Sequence, residues 1–72
     1  MLYKKQYIIL SVSNGYFWTG DGDKRWSSNI DDALFMQYKK QATGALEYLA
    51  EEYPGAVYTI LQVYAPDKRF ID

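Results

Sequence analysis

Seventy-two residues with a formal net charge of −1 leave room for a single domain, read as spanning residues 1–72, and provide no global field to attract nucleic acid or an anionic membrane. There is no cysteine and no histidine, which excludes disulfide and zinc–thiolate staples, suits a reducing cytoplasm, and removes the commonest general base and metal ligand. A chain this short buries only about 60% of its unfolded surface, so its 49% hydrophobic content, with eight tyrosines, two tryptophans and three phenylalanines, has to stabilise it through a core or an oligomer interface.

The amino terminus, MLYKKQYIILSVS, places charge before an apolar run, as a signal peptide does. The run is short and no small-residue cleavage site follows it, so the segment reads as a strand of a soluble intracellular protein. No apolar stretch approaches the roughly 18 residues of a membrane helix. Ile8, Leu10 and Val12 alternate with Tyr7, Ile9 and Ser11, the period of a strand. Asn14-Gly15 follows, the pair best suited to a type I′ turn. The chain returns through Tyr16 to Thr19, with Val12 expected opposite Phe17 and Ser11 opposite Trp18. Phe17 then shares the face of Ile8, Leu10 and Val12, while Tyr16 and Trp18 share that of Tyr7 and Ile9.

Gly20-Asp21-Gly22-Asp23 reads as a second turn, and Lys24-Arg25-Trp26 as a short added strand or an extension of the hairpin past a bulge. Asn29 is a good N-cap, with Asp31 and Asp32 placed where a helix dipole favours them. The stripe Ile30, Leu34, Tyr38, Ala42, Ala45, Leu49, Tyr53 has helical spacing and ends at Pro54-Gly55. One helix over residues 30–53 is the direct reading, and the pattern leaves open a break near residues 35–38. Ala56 to Tyr64 alternates as a strand, with Val57, Leu61 and Val63 on one face and Tyr58, Ile60 and Tyr64 on the other. Ala65-Pro66-Asp67 closes it, and Lys68 to Asp72 is a tail. The expected architecture is α+β: a small antiparallel sheet of three to four strands with one long or broken helix packed on one face, in the order β-β-(β)-α-β. Its core is expected to hold Leu10, Val12, Phe17, Leu34, Leu46, Leu49, Leu61 and Val63.

Little in this chain points to catalysis. Asp21 and Asp23 lack the spaced oxygens and final glutamate of a calcium loop, and Lys24-Arg25 follows them. Glu51 and Glu52 are adjacent on a helix and point in different directions, and no phosphate loop or zinc-protease motif is present. No metal, cofactor or enzymatic activity is therefore expected. The eight basic residues form the doublets Lys4-Lys5, Lys24-Arg25, Lys39-Lys40 and Lys68-Arg69. On a strand such neighbours point to opposite faces, a pattern of solvated or edge-protecting charge.

A single helix covers one sheet face, and the other is expected to carry Tyr7, Ile9, Tyr16, Trp18, Tyr58, Ile60 and Tyr64. Such a face exceeds the apolar patch of an ordinary monomer and reads as the partner-binding site. The partners it suits are a second copy of the chain, another protein anchored on Tyr and Trp, or single-stranded nucleic acid stacked on the rings. The net negative charge counts against the last.

Trp26-Ser-Ser-Asn-Ile30-Asp-Asp-Ala33-Leu-Phe35-Met36, followed by Ala42 and Leu46, resembles a pattern in small phage and prophage proteins. In those a tryptophan and a cap precede an Ile-x-x-Ala turn, a large apolar residue and a helix, all after an amino-terminal hairpin. The likeness spans residues 5–64 in outline; Met36 stands where an aromatic is usual, and Gly44 interrupts the second helical part. It implies a helix break near Phe35 to Tyr38 and no catalytic residues. It also implies a binder that blocks a host protein or defence complex by steric occlusion, as anti-CRISPR proteins do, in the host cytoplasm.

Overall fold

Alternating side chains along Tyr3–Ser11 and Tyr58–Pro66 build the two long strands, β1 and β4, of a computed structural model that describes residues 3–22 and 25–66. Between them come β2 (Tyr16–Trp18), β3 (Trp26–Ser27), a 3-10 turn (Ile30–Asp32) and the helix α1 (Lys39–Glu52). The sheet is antiparallel with strand order β3-β2-β1-β4. Strands β1 and β4 pair from Tyr3 opposite Pro66 to Ser11 opposite Tyr58. With α1 packed on β1 and β4, this is the α+β class that the patterning predicts. Strand β4 starts two residues after Ala56 and continues through Ala65 and Pro66, which were expected to close it. The expectations for Asp23, Lys24 and the tail from Asp67 onward fall outside the described residues.

The first hairpin keeps the predicted faces with a different turn. Leu10 pairs with Phe17 and Ser11 with Tyr16, two residues from the register that a two-residue Asn-Gly turn imposes. Val12 to Gly15 form a longer loop in which Gly15, at φ 76°, takes the left-handed conformation and Asn14 does not. The Gly15 N–H donates to the Ser11 carbonyl at 2.8 Å, and the Tyr16 N–H to Asn14 Oδ1 at 3.1 Å. The cause lies across the sheet. The Val12 N–H donates to the Val57 carbonyl at 2.8 Å and the Val57 N–H to Ser13 Oγ at 3.2 Å, so the loop is held by the chain entering β4. A slip of two residues preserves side-chain parity. Phe17 therefore stays with Leu10, and Trp18 with Ile9.

Asn29 does act as a cap, its side-chain oxygen accepting from the Asp31 N–H at 3.0 Å, but it opens a single 3-10 turn. Residues 33–38 then link that turn to α1 without helix, which replaces the continuous 30–53 helix and includes the 35–38 window of the expected break. Competition for backbone partners explains the interruption. Strand β2 pairs only with Leu10 and Ser11 of β1, leaving the edge of Tyr7 unfilled by β2. Met36 takes that position, exchanging backbone hydrogen bonds with Tyr7 at 2.8 Å each way, while the Leu34 N–H donates to the Trp18 carbonyl at 2.9 Å. Sheet bonds at a buried edge outweigh the small per-residue helix propensities of the link. Helix α1 begins after Tyr38, whose N–H donates to Gln41 Oε1 at 3.1 Å.

Helix α1 covers the face opposite to the expected one. Ile9 and Leu49 are fully buried with Ala42 and Met36, and Tyr7, Trp18, Trp26, Tyr58 and Ile60 pack around them from the sheet. From the helix side, Ala45, Leu46 and Tyr53 complete this cluster. Period two identifies which side chains share a face, but here both faces are apolar, so it cannot assign the cover. Packing does. Small Ala42 and Ala45 on α1 leave depth for two indoles and two phenols, the largest apolar surfaces in the chain to bury.

The expected core divides accordingly. Leu46 and Leu49 lie in it, while Leu10, Phe17, Leu61 and Val63 are half-buried on the other face around the fully buried Ile8. Val12 and Leu34 were expected inside and are exposed, Val12 because it sits in the hairpin loop and Leu34 because it belongs to the link. Of the predicted stripe, Tyr38 at the end of the link and Ile30 in the 3-10 turn are exposed as well.

Candidate interaction surfaces

The residues expected to form an open partner-binding face (Tyr7, Ile9, Tyr16, Trp18, Tyr58, Ile60, Tyr64) do share one sheet face, as their register requires. That face is the one beneath α1. Tyr7, Ile9, Trp18, Tyr58 and Ile60 pack in the core, and only Tyr16 and Tyr64, toward the ends of their strands, are exposed. Trp18→Ala therefore removes a core contact. Trp26 was not grouped with these residues and is central to them. Its ring stacks on Tyr58 (centroids 5.8 Å apart, 8° between planes) and meets Tyr53 edge-on (6.0 Å, 71°). It thereby joins β3 to β4 and to the end of α1. The pairing of Trp18 with Trp26 across β2 and β3 puts it there, since paired residues share a face.

Burial raises the Tyr58 pKa, and the neighbouring Tyr53 phenol adds to the shift. Because the folded-state value is raised, this contribution to stability is complete below the unfolded tyrosine value of about 10 and is lost as pH rises through the folded value. Thermal melts taken across this range should therefore show the midpoint falling above about pH 10, and Tyr58→Phe should make that fall shallower. The same fall in both proteins would assign it to other groups.

Beside the carboxyl end of α1 lies a recess of about 100 Å³ lined by Trp18, Gly20, Asp21, Gly22, Arg25, Tyr48, Leu49 and Tyr53. Arg25 Nη1 donates to the Tyr53 hydroxyl at 2.6 Å, and this bond raises the pKa of the exposed guanidinium. Small-molecule sites usually enclose about 300 Å³ or more, so this recess matches a single inserted side chain. Glu51 and Glu52 are exposed at the last turn of α1. Among the described residues, no helix is long and apolar enough to cross a membrane.

The two sheet edges differ sharply. Strand β3 has two residues, whereas β4 presents nine, YTILQVYAP, with no charged side chain and its only proline at the end. Its register with β1 is unbroken by a bulge. Backbone directions follow from Tyr7, whose N–H and C=O point to Met36 on the β2 side of β1. Directions alternate along a strand, so Lys4, Gln6, Ile8 and Leu10 bond to Ala65, Val63, Leu61 and Thr59. Tyr58, Ile60, Gln62 and Tyr64 then turn their N–H and C=O groups outward, where no described strand pairs with them. No protein-family model, no curated protein and no solved structure matches this chain.

Proposed function

We propose that the chain is a non-enzymatic protein-interaction module that accepts a partner strand at the outer edge of β4. The free edge carries this reading. Edge strands are normally short, charged, bulged or covered, because a long uncharged edge invites pairing with another chain. Strand β4 is nine residues long and has none of the first three protections. In strand addition the main-chain bonds supply affinity, and alternate side chains supply specificity. The resemblance to small phage proteins supports a host protein or defence complex as the target, with occlusion of its surface as the mode of inhibition and the host cytoplasm as the setting. The alternative, a single-strand nucleic-acid binder, loses support because the rings it would stack on lie beneath α1.

Gln62→Pro tests the reading. The Gln62 N–H points away from β1, so proline there removes an outward donor and spares the β1–β4 ladder, the setting in which edge strands tolerate proline. Wild type and variant used as baits in host lysate, with thermal melts in parallel, should both be folded. A protein held by the wild type should be lost by the variant; identical retention by both would overturn strand addition. Raising salt from about 50 to 200 mM should change the affinity little, whereas a loss of about 10³-fold would mark phosphate contacts.

A further inference from the structure

We infer that, when no target strand is bound, the β4 edge is occupied by a second copy of this chain, joined antiparallel about a two-fold axis through Leu61. This rests on the strand-addition reading above and names what covers the edge before a target displaces it. Four residues, Tyr58, Ile60, Gln62 and Tyr64, turn backbone groups outward. They are symmetric about Leu61. In the register that sets Tyr58 against Tyr64 of the second copy and Ile60 against Gln62, all four enter hydrogen-bonded pairs, giving about eight main-chain bonds across the axis. Any other antiparallel two-fold register leaves at least one of their outward N–H or C=O groups without a partner in β4. Pro66, which has no N–H to donate, ends the strand just beyond the paired stretch.

Side chains agree with the backbone. Strand β4 has no charged residue, so two copies meet without the like-charge opposition that a charged edge imposes on self-pairing. Tyr64, 70% exposed, would lie beside Tyr58 on the helix face. On the other face Leu61 would meet Leu61, and Thr59 would meet Val63, a β-branched cross-strand pair. An axis perpendicular to the sheet places both α1 helices on one side of a continuous antiparallel sheet, and the long edge disappears.

Mass measured over a concentration series, on the full chain, is the first test: it should approach twice 8.4 kDa for the wild type. Gln62→Pro should remain folded and monomeric, and Tyr64→Lys, at a solvent-exposed position, should weaken the dimer by removing the ring that lies beside Tyr58 of the second copy. Register is tested by cysteine, because the chain has none of its own. Leu61 faces its own copy in a non-hydrogen-bonded pair with Cα atoms about 4.5 Å apart, within disulfide reach. Two Thr59 residues would be about 14 Å apart along the strands. Mild oxidation should therefore cross-link Leu61→Cys and leave Thr59→Cys uncross-linked.

In the wild type, the amides of Tyr58, Ile60, Gln62 and Tyr64 should exchange slowly at high concentration and fast on dilution. A chain that is monomeric at every concentration with fast outward amides overturns the second-copy inference; strand addition survives if Gln62→Pro still loses its captured protein. A dimer that both edge variants retain overturns the inference by placing self-association elsewhere. Cross-linking of Thr59→Cys without Leu61→Cys overturns the Leu61 register. Slow outward amides in a monomer would mean that the chain's own segment occupies the edge, overturning both readings.

Discussion

Replacing Leu49 with alanine is expected to destabilise the protein by about 2–5 kcal/mol, the range for a fully buried leucine whose cavity closes only in part. Leu49 is 1% exposed and sits where α1 meets Ile9, Met36 and the aromatic side chains of the sheet. Domains carry roughly 0.05–0.15 kcal/mol per residue, so the loss is a large share of what 72 residues can supply. Urea unfolding followed by far-UV circular dichroism measures it directly. The melting midpoint should fall by about 10 °C or more, given about 4–8 °C per kcal/mol at this size. Leu34→Ala, at an exposed position of the link, is the control and should shift stability far less. Equal losses at the two positions would contradict the placement of α1.

Trp26→Ala is expected to cost about 3–5 kcal/mol, although Trp26 is only half-buried. The indole forms the stacked contact with Tyr58 and the edge contact with Tyr53, so its removal loosens β3, β4 and the end of α1 together. Such aromatic pairs contribute about 0.5–1.5 kcal/mol beyond area burial. Near-UV circular dichroism should lose the part of its aromatic signal that Trp26 and its ring contacts contribute, and unfolding should occur at lower urea. Trp26→Phe should recover part of the loss by keeping one ring in place. A Trp26→Ala protein with wild-type stability would show that these contacts do not hold the sheet edges together.

Local pattern was a sound guide to elements and faces. The alternation from Tyr7 to Ser11 and from Tyr58 to Tyr64 grouped correctly the residues that share a face, because a strand's side chains have a fixed period of two, but it put the helix over the wrong one of the two faces. Even the two-residue slip of the hairpin left that grouping intact. Asn29 was legible as a cap because the geometry is local, a side-chain oxygen meeting an N–H two residues on. The candidate edge was legible in part. That Ala56 to Tyr64 contains no charge is visible in the residues alone, but whether the strand is central or at an edge depends on which strand lies beside it.

The α+β class, the alternation of the two long strands, the shared face of Tyr7, Ile9, Trp18 and Tyr58, and the lack of any charge along β4 are all written in the residues. These follow from composition and periodicity, which act over a few residues. Which face α1 covers, where the helix begins and which edge is left open depend on contacts between distant parts of the chain. Two apolar faces compete on nearly equal terms, and the decision falls to volume: the alanines of α1 receive the rings of Trp18, Trp26 and Tyr58. Met36 leaves the helical pattern because Tyr7, 29 positions away in the chain, offers it two backbone bonds at 2.8 Å. Long-range pairing of this kind has no local signature, since its energy resides in a partner that the neighbouring residues do not contain.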